Sequence, residues 1–255
     1  MEVLSSLKNP KIMAWRSLKE RKGRLEQQAF LVEGTKMVRE ALASGFPVEA
    51  LLIREGFTPE AYLRASIPAY QLPAHVFDAV CDTRTPQGIA AVLRPDPRPA
   101  AGPYLLALDG VQDPGNVGTI LRTADAAGFD GVLLSSECAD CFSPKVLRAT
   151  MGSIFHMELS FPASLPEALS ALREKGYEIL SSQLDGDPFY GRAPIPAPWV
   201  LVIGNEGRGI SAPVKALATR RLRLPMRGGA ESLNAAVAAG ILMYDLLREQ
   251  PEKKA

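Results

Sequence analysis

Trp199-Val200-Leu201-Val202-Ile203 runs without a polar residue straight into Gly204-Asn205-Glu206-Gly207-Arg208-Gly209. An apolar run of this kind reads as a strand buried on both faces. A glycine-rich turn directly after it lets a ligand approach backbone N–H and C=O groups closely. Tyr104 to Leu108 repeats the apolar pattern. The turn Asp113-Pro114-Gly115-Asn116 then leads into a helix with Val117, Ile120, Leu121, Ala124 and Ala127 on one face and Gly128 as its stop. Gly131 to Leu134 is the next expected strand. Helices near 144–151 and 165–175 and a strand at 177–182 follow. This alternation predicts an α/β unit with a mostly parallel sheet covered by helices on both faces.

Downstream, Arg221 to Met226 is a short strand-like run, and Arg227-Gly228-Gly229-Ala230 is a turn. Glu231-Ser232-Leu233-Asn234 then opens a helix expected from about Ala235 to Arg248, in which Leu233, Val237, Ile241 and Tyr244 recur at helical spacing. Ser232 and Asn234 are both good helix-capping residues, and a cap is the plain reading of either.

Between Arg94 and Pro103 stand four prolines, at 95, 97, 99 and 103. They mark a stiff linker over 96–103 and divide the chain into residues 1–95 and 104–255. In the first part a basic opening helix precedes a strand at Phe30 to Glu33, a helix around Lys36 to Ala43 and a strand at Val48 to Ile53. Short elements near Tyr62 to Ala65 and His75 to Val80 come next, and then Gly88 to Leu93. Lys8, Lys11, Arg16, Lys19, Arg21, Lys22 and Arg24 place seven basic residues in one stretch, against Glu20 alone and with Trp15 among them. Two readings stand for this stretch: a solvated helix face, or a surface that meets a nucleic-acid backbone by releasing counterions.

The whole chain has 255 residues, 47% hydrophobic and 22% charged, with a net charge of +1. That composition describes a soluble globular protein, and binding to a polyanion needs a local patch rather than a global excess. Three cysteines without framework spacing exclude a disulfide-built fold. Met1 to Lys8 lacks the apolar core of a signal peptide, and no apolar run reaches membrane-spanning length, so a cytoplasmic protein without a membrane partner is expected. Cys138, Cys141, His156, Cys81 and His75 lack the ligand spacing of a zinc site. They read as packed or incidental, and no metal is expected.

Open parallel sheets bind ligands at the carboxyl ends of their strands. Three polar clusters occupy such positions: Asn116 to Arg122, Gly204 to Gly209 and Arg227 to Asn234. The glycine loop lacks the lysine that a phosphate-binding P-loop places before its Ser/Thr. A dinucleotide fingerprint would expect an acidic residue where Arg220 and Arg221 stand.

These clusters resemble the three signature motifs of the SpoU/TrmH family of RNA ribose 2′-O-methyltransferases, within the SPOUT superfamily. The matching stretches are LDGVQDPGNVGTILRTADAAGF over 108–129, VLVIGNEGRGIS over 200–211 and LRLPMRGGAESLNAAVAAGI over 222–241. They recur in family order across 104–250. SLKNPKIMAWRSLKERKGR, FLVEGTKMVREAL and DTRTPQGIAAVL in the first part are similar to the family's small α/β/α RNA-binding extension, which is like some ribosomal proteins.

The resemblance implies a deep trefoil knot in the C-terminal domain, S-adenosyl-L-methionine as cofactor and a homodimer formed through that domain. It implies that Gly204, Leu224 and Leu233 hold the cofactor through backbone groups, with Asn205, Gly209 and Met226 lining the same pocket. Asn116, Arg122, Glu206, Ser232 and Asn234 match the family's functional polar positions. Arginine keeps its proton in proteins, so Arg122 is expected to bind a phosphate and stabilise a developing alkoxide rather than act as a base. Lys145 and Arg148 have two readings, an RNA entrance or a solvated helix. The two-part layout is similar to members acting on large-subunit rRNA. A tRNA 2′-O-methyltransferase and a non-catalytic RNA-binding assembly factor are the alternatives.

Overall fold

The computed structural model describes residues 1–58 and 67–250. The elements, in chain order, are β1 (Glu2–Val3), α1 (Pro10–Ser17), α2 (Arg21–Gln27), β2 (Phe30–Glu33), α3 (Thr35–Ala43), β3 (Val48–Arg54), β4 (Ala69–Leu72), α4 (Ala74–Val80) and β5 (Ile89–Leu93). There follow β6 (Tyr104–Asp109), α5 (Pro114–Ala127), β7 (Gly131–Leu134), α6 (Pro144–Thr150), a 3-10 turn at Ser153–Phe155, β8 (Glu158–Ser160) and α7 (Leu165–Glu174). The chain closes with β9 (Glu178–Pro188), β10 (Trp199–Gly204), α8 (Ala212–Lys215), β11 (Arg220–Arg223) and α9 (Ala235–Arg248). None of the helices among the described residues is long and apolar enough to cross a membrane. The short element expected near Tyr62 lies outside the described residues.

Two compact units form. The first comprises Met1–Asp96 together with Asp140–His156, and the second comprises Pro97–Ala139 together with Met157–Ala255. The proline-rich stretch thus contains one boundary. Residues 140–156 differ from the sequence reading, which left them in the C-terminal domain. Packing explains the difference. Phe142 stacks on Phe30 with ring centroids 4.5 Å apart, and Phe155 meets Phe46 edge-on at 5.3 Å. Asp140 pairs with Arg24 at 2.7 Å, and Arg148 pairs with Asp82 at 2.7 Å.

In the first unit the strand order is β1-β4-β3-β5-β2, with β2 and β3 antiparallel to β5 and β1 and β3 parallel to β4. Ile12 and Trp15 of α1 and Val76, Phe77 and Val80 of α4 bury one face of this sheet against Leu31, Ala50, Leu52, Ala90 and Val92. The expected opening helix is two helices. Asn9 caps α1 by accepting from the Lys11 N–H, and the chain bends before α2, where a Cβ on Gly23 would lie 2.0 Å from the Ser17 carbonyl oxygen. Only glycine permits that crossing.

The second unit carries a six-stranded sheet in the order β11-β9-β10-β6-β7-β8. Its pairings among the described residues are all parallel, as the apolar runs at 104–108 and 199–203 imply. Leu165 and Leu169 of α7 and Val214 of α8 cover Leu105, Ala107, Leu133, Ile179, Val200 and Val202 on one face. Helix α9 packs on α5 and β10. Strand β9 is longer than the sequence suggests, because its far end, Asp187 and Pro188, pairs with Leu222 and Arg223 beyond an irregularity in the ladder.

Candidate functional site: a polar chain beside an apolar pocket

Each polar cluster is placed by a local device. Helix α5 begins where the Asp113 side chain accepts the Asn116 N–H at 2.8 Å, with Pro114 at its first turn, and it ends at Gly128 in the left-handed region. Val117, Ile120, Leu121 and Ala124 take the buried stripe, so Arg122 points to solvent. At the end of β10, a Cβ on Gly204 would lie 2.4 Å from the Gly209 carbonyl carbon. The loop therefore folds back on the strand only over glycine. Asn205 holds that loop closed: its Oδ1 accepts the Gly207 and Arg208 N–H groups at 2.9 Å each, and its Nδ2 donates to the Gly110 carbonyl at 2.8 Å. Asp109 accepts the Ser211 N–H at 2.7 Å and anchors the other end.

The loops meet in one directed hydrogen-bond chain. Asn234 Oδ1 caps α9 by accepting the Ala236 and Val237 N–H groups at 2.9 and 3.3 Å. Its Nδ2 must then face outward, and it donates to Asn116 Oδ1 at 2.9 Å. The Asn116 Nδ2 in turn donates to Glu206 Oε1 at 2.9 Å. The same carboxylate accepts the Gln112 and Asp113 N–H groups at 3.2 Å each. Backbone donors at both ends fix every amide orientation, and each amide keeps a second N–H without a partner among the described residues. Burial acts to raise the Glu206 carboxyl. Asn116 and the backbone N–H groups of Glu206, Gln112 and Asp113 outweigh it, so its pKa lies below the usual carboxylate value.

Leu224, Met226 and Leu233 line a pocket of about 170 Å³ with Tyr190, Pro225 and Ile241. Among the described residues, no hydrogen bond engages the backbone between Pro225 and Leu233. Its donors and acceptors are therefore available to a ligand. Gly204, Asn205 and Gly209 lie in the adjoining sequence cluster but do not line this pocket. The side chains of Arg122 and Ser232 are exposed and enter no hydrogen bond or ion pair among the described residues. The sequence marked none of Gln112, Asp113, Gly110, Asp109, Tyr190 and Ile241 as a site residue; Asp113 entered only as a turn residue and Ile241 only as a helix position. Backbone donors carry no side-chain signature, and the Tyr190 loop matches none of the clusters that marked the site.

Of the residues expected to meet RNA, Lys8, Arg16, Arg21, Lys22 and Lys145 are exposed, and Lys19 is half-buried. Lys11 also bonds Glu2 and the Tyr70 hydroxyl, at 3.2 and 2.9 Å. Arg24 is a correction. It is only 8% exposed, pairs with Asp140, and donates to the Leu18 and Lys19 carbonyls at 2.7 and 2.8 Å. Its guanidinium closes the turn between α1 and α2 and is not available to a phosphate. Cys81, Cys138 and Cys141 are buried thiols outside any disulfide among the described residues, and burial raises the pKa of the first two.

A parallel sheet with its polar loops gathered at the carboxyl ends of β6 and β10 and along the approach to α9 defines an α/β protein of the ligand-binding kind. Residues 103–244 match the SpoU rRNA Methylase family, to which the chain belongs, and residues 9–91 match the MRM3-like substrate binding domain. It is similar to the 23S rRNA (guanosine(2553)-2′-O)-methyltransferase RlmP of Bacillus subtilis, 39% identical over 96% of this chain and 99% of the relative. The structure of an AdoMet-bound rRNA methyltransferase from Sinorhizobium meliloti is 31% identical, with a TM-score of 0.88 over 98% of this chain and 99% of that one. The SpoU methyltransferase AviRb from Streptomyces viridochromogenes is 26% identical, with a TM-score of 0.84 over 95% and 98%.

Proposed function

We propose that this protein methylates a ribose 2′-hydroxyl of large-subunit ribosomal RNA with S-adenosyl-L-methionine as donor. The observation that carries the reading is the chain Asn234–Asn116–Glu206, which joins the three polar loops beside the Leu224–Leu233 pocket. The pocket fits the donor in chemistry: apolar walls suit the face of a purine, and unused backbone groups suit its edge. Leu224, Met226 and Leu233 would line the donor, and Gly204, Asn205 and Gly209, outside this pocket, would meet it from the end of β10 and the loop after it. When bound, it supplies a methyl group already activated for transfer by the sulfonium.

The chain's own residues then orient and stabilise. The free N–H of Asn116 and that of Asn234 hold ribose oxygens at fixed angles, because Glu206 and the α9 N-terminus keep both amides from rotating. Ser232 adds a hydroxyl at the same rim. Arg122, always charged, binds the neighbouring phosphate and stabilises the alkoxide as it develops, while the hydroxyl proton passes to solvent water. Lys8, Lys11, Arg16, Lys19, Arg21, Lys22, Lys145 and Arg148 offer the first unit's positive charge to the RNA backbone.

We further infer a trefoil knot in the second unit, a homodimer and a cytoplasmic setting. The knot is supported by the path of the C-terminal segment, which leaves edge strand β11 and returns to pack α9 on β10 and α5. The dimer is supported by Leu233 just before α9 and Val237 and Tyr244 on it, exposed at 38%, 52% and 55%. Calorimetry with S-adenosylhomocysteine, together with 2′-O-methyl mapping of total RNA from cells lacking the protein, tests the reading. Binding and the loss of one methyl in large-subunit rRNA are expected. A methyl lost from tRNA instead, or none lost at all, rejects it.

A further inference from the structure

β11 is the outermost strand of the second unit's sheet and pairs with β9 alone. Three of its residues are the exposed arginines Arg220, Arg221 and Arg223, while Leu222 is buried at 2%. Arg220 is paired with Glu178 at 3.6 Å. The side chains of Arg221 and Arg223 enter no hydrogen bond or ion pair among the described residues, and neither does that of exposed Arg227 just beyond. Side chains two apart on a strand share a face at a spacing of about 7 Å. The strand runs on directly into Leu224, Pro225 and Met226, which line the apolar pocket.

Two unpaired like charges side by side repel and contribute nothing to the isolated fold. Charge on an edge strand guards against edge-to-edge association, but charge of either sign does that. Glu178, Asp185 and Asp187 line one groove with Arg192, Arg220 and Arg221, three charges of each sign, so the groove itself carries no net attraction for a polyanion. The outer edge of β11 is left as the attractive path.

We propose that Arg221 and Arg223, continued by Arg227, form a phosphate-contact track that lays the RNA strand alongside the donor pocket. The proposal rests on the methyltransferase reading above. It gives the second unit an RNA surface of its own, separate from the basic residues of the first.

The test uses the full-length chain carrying Arg221→Glu and Arg223→Glu, which keeps the edge charged while inverting its attraction. Binding of an in vitro transcript of large-subunit rRNA is measured across a potassium chloride series. The expected result is at least about tenfold weaker binding near physiological salt and a log–log salt slope shallower by about 2, one per lost phosphate contact. S-adenosylhomocysteine affinity, measured by calorimetry, stays at the wild-type value. The Arg221→Lys and Arg223→Lys double variant retains the wild-type slope. An unchanged slope in the reversal variant overturns the track and leaves the arginines as edge guards. Loss of S-adenosylhomocysteine binding in that variant alone overturns it too, by making them structural. A wild-type protein that itself fails to bind S-adenosylhomocysteine instead defeats the methyltransferase reading.

Discussion

The Asn234 side-chain amide donates to Asn116 Oδ1 at 2.9 Å, although 118 positions separate them in the chain. Asn116 stands in the first turn of α5 and Asn234 caps α9, so this one bond locks two helix N-termini together at the rim of the pocket. It also divides the work of Asn234, whose oxygen serves the helix while its nitrogen serves the site.

That division is separable. Asn234→Asp keeps an oxygen for the Ala236 and Val237 N–H groups but cannot donate to Asn116, whereas Asn234→Ala loses both. Thermal unfolding is expected to show Asn234→Ala destabilised by about 1 kcal/mol and Asn234→Asp close to wild type. Methyl transfer falls in both. Full activity in Asn234→Asp would show that the cap is the residue's whole contribution.

Glu206 carries a pH signature. Hydrogen bonds hold its folded-state pKa below the unfolded value. Its stabilisation is therefore complete above the unfolded pKa and is lost as pH falls through the folded one. Urea unfolding of wild type and Glu206→Gln, followed from about pH 7 to about pH 3, is expected to show a gap that narrows toward acid. A gap that stays constant over this range contradicts the bonding described.

Arg122 is exposed on α5 and has no partner among the described residues, so its removal leaves no buried group unsatisfied. Arg122→Ala is expected to change stability by no more than about 0.5 kcal/mol and to leave S-adenosylhomocysteine affinity intact, while single-turnover methylation is lost. Near-normal turnover would remove Arg122 from the mechanism.

Arg24 behaves in the opposite way. Replacing it leaves Asp140, itself only 19% exposed, without its countercharge inside the first unit. Arg24→Met is expected to cost about 3 kcal/mol in denaturant unfolding. An Arg24→Met protein as stable as wild type but weaker toward RNA would return this residue to the nucleic-acid surface.

Much of the second unit was legible in the sequence for a simple reason. Parallel strands buried on both faces must be apolar throughout, so Tyr104–Leu108 and Trp199–Ile203 announce themselves, and the polar loops after them stand out by contrast. The family motifs pointed to Asn116, Arg122, Glu206, Ser232 and Asn234, of which hydrogen bonds join Asn116, Glu206 and Asn234. The four prolines suggested a break, and one of the boundaries between the compact units falls after Asp96. Only the tertiary structure decided the rest. Arg24 counts as one more cation in a basic run until Asp140 is brought to 2.7 Å from it. The segment 140–156 leaves the unit of its sequence neighbours because Phe142 and Phe155 find their aromatic partners in Phe30 and Phe46. Hydrophobic periodicity reports which side of an element is buried, but not what buries it. Partners distant in the chain are selected by packing and by hydrogen bonds that exist only once both segments are in place.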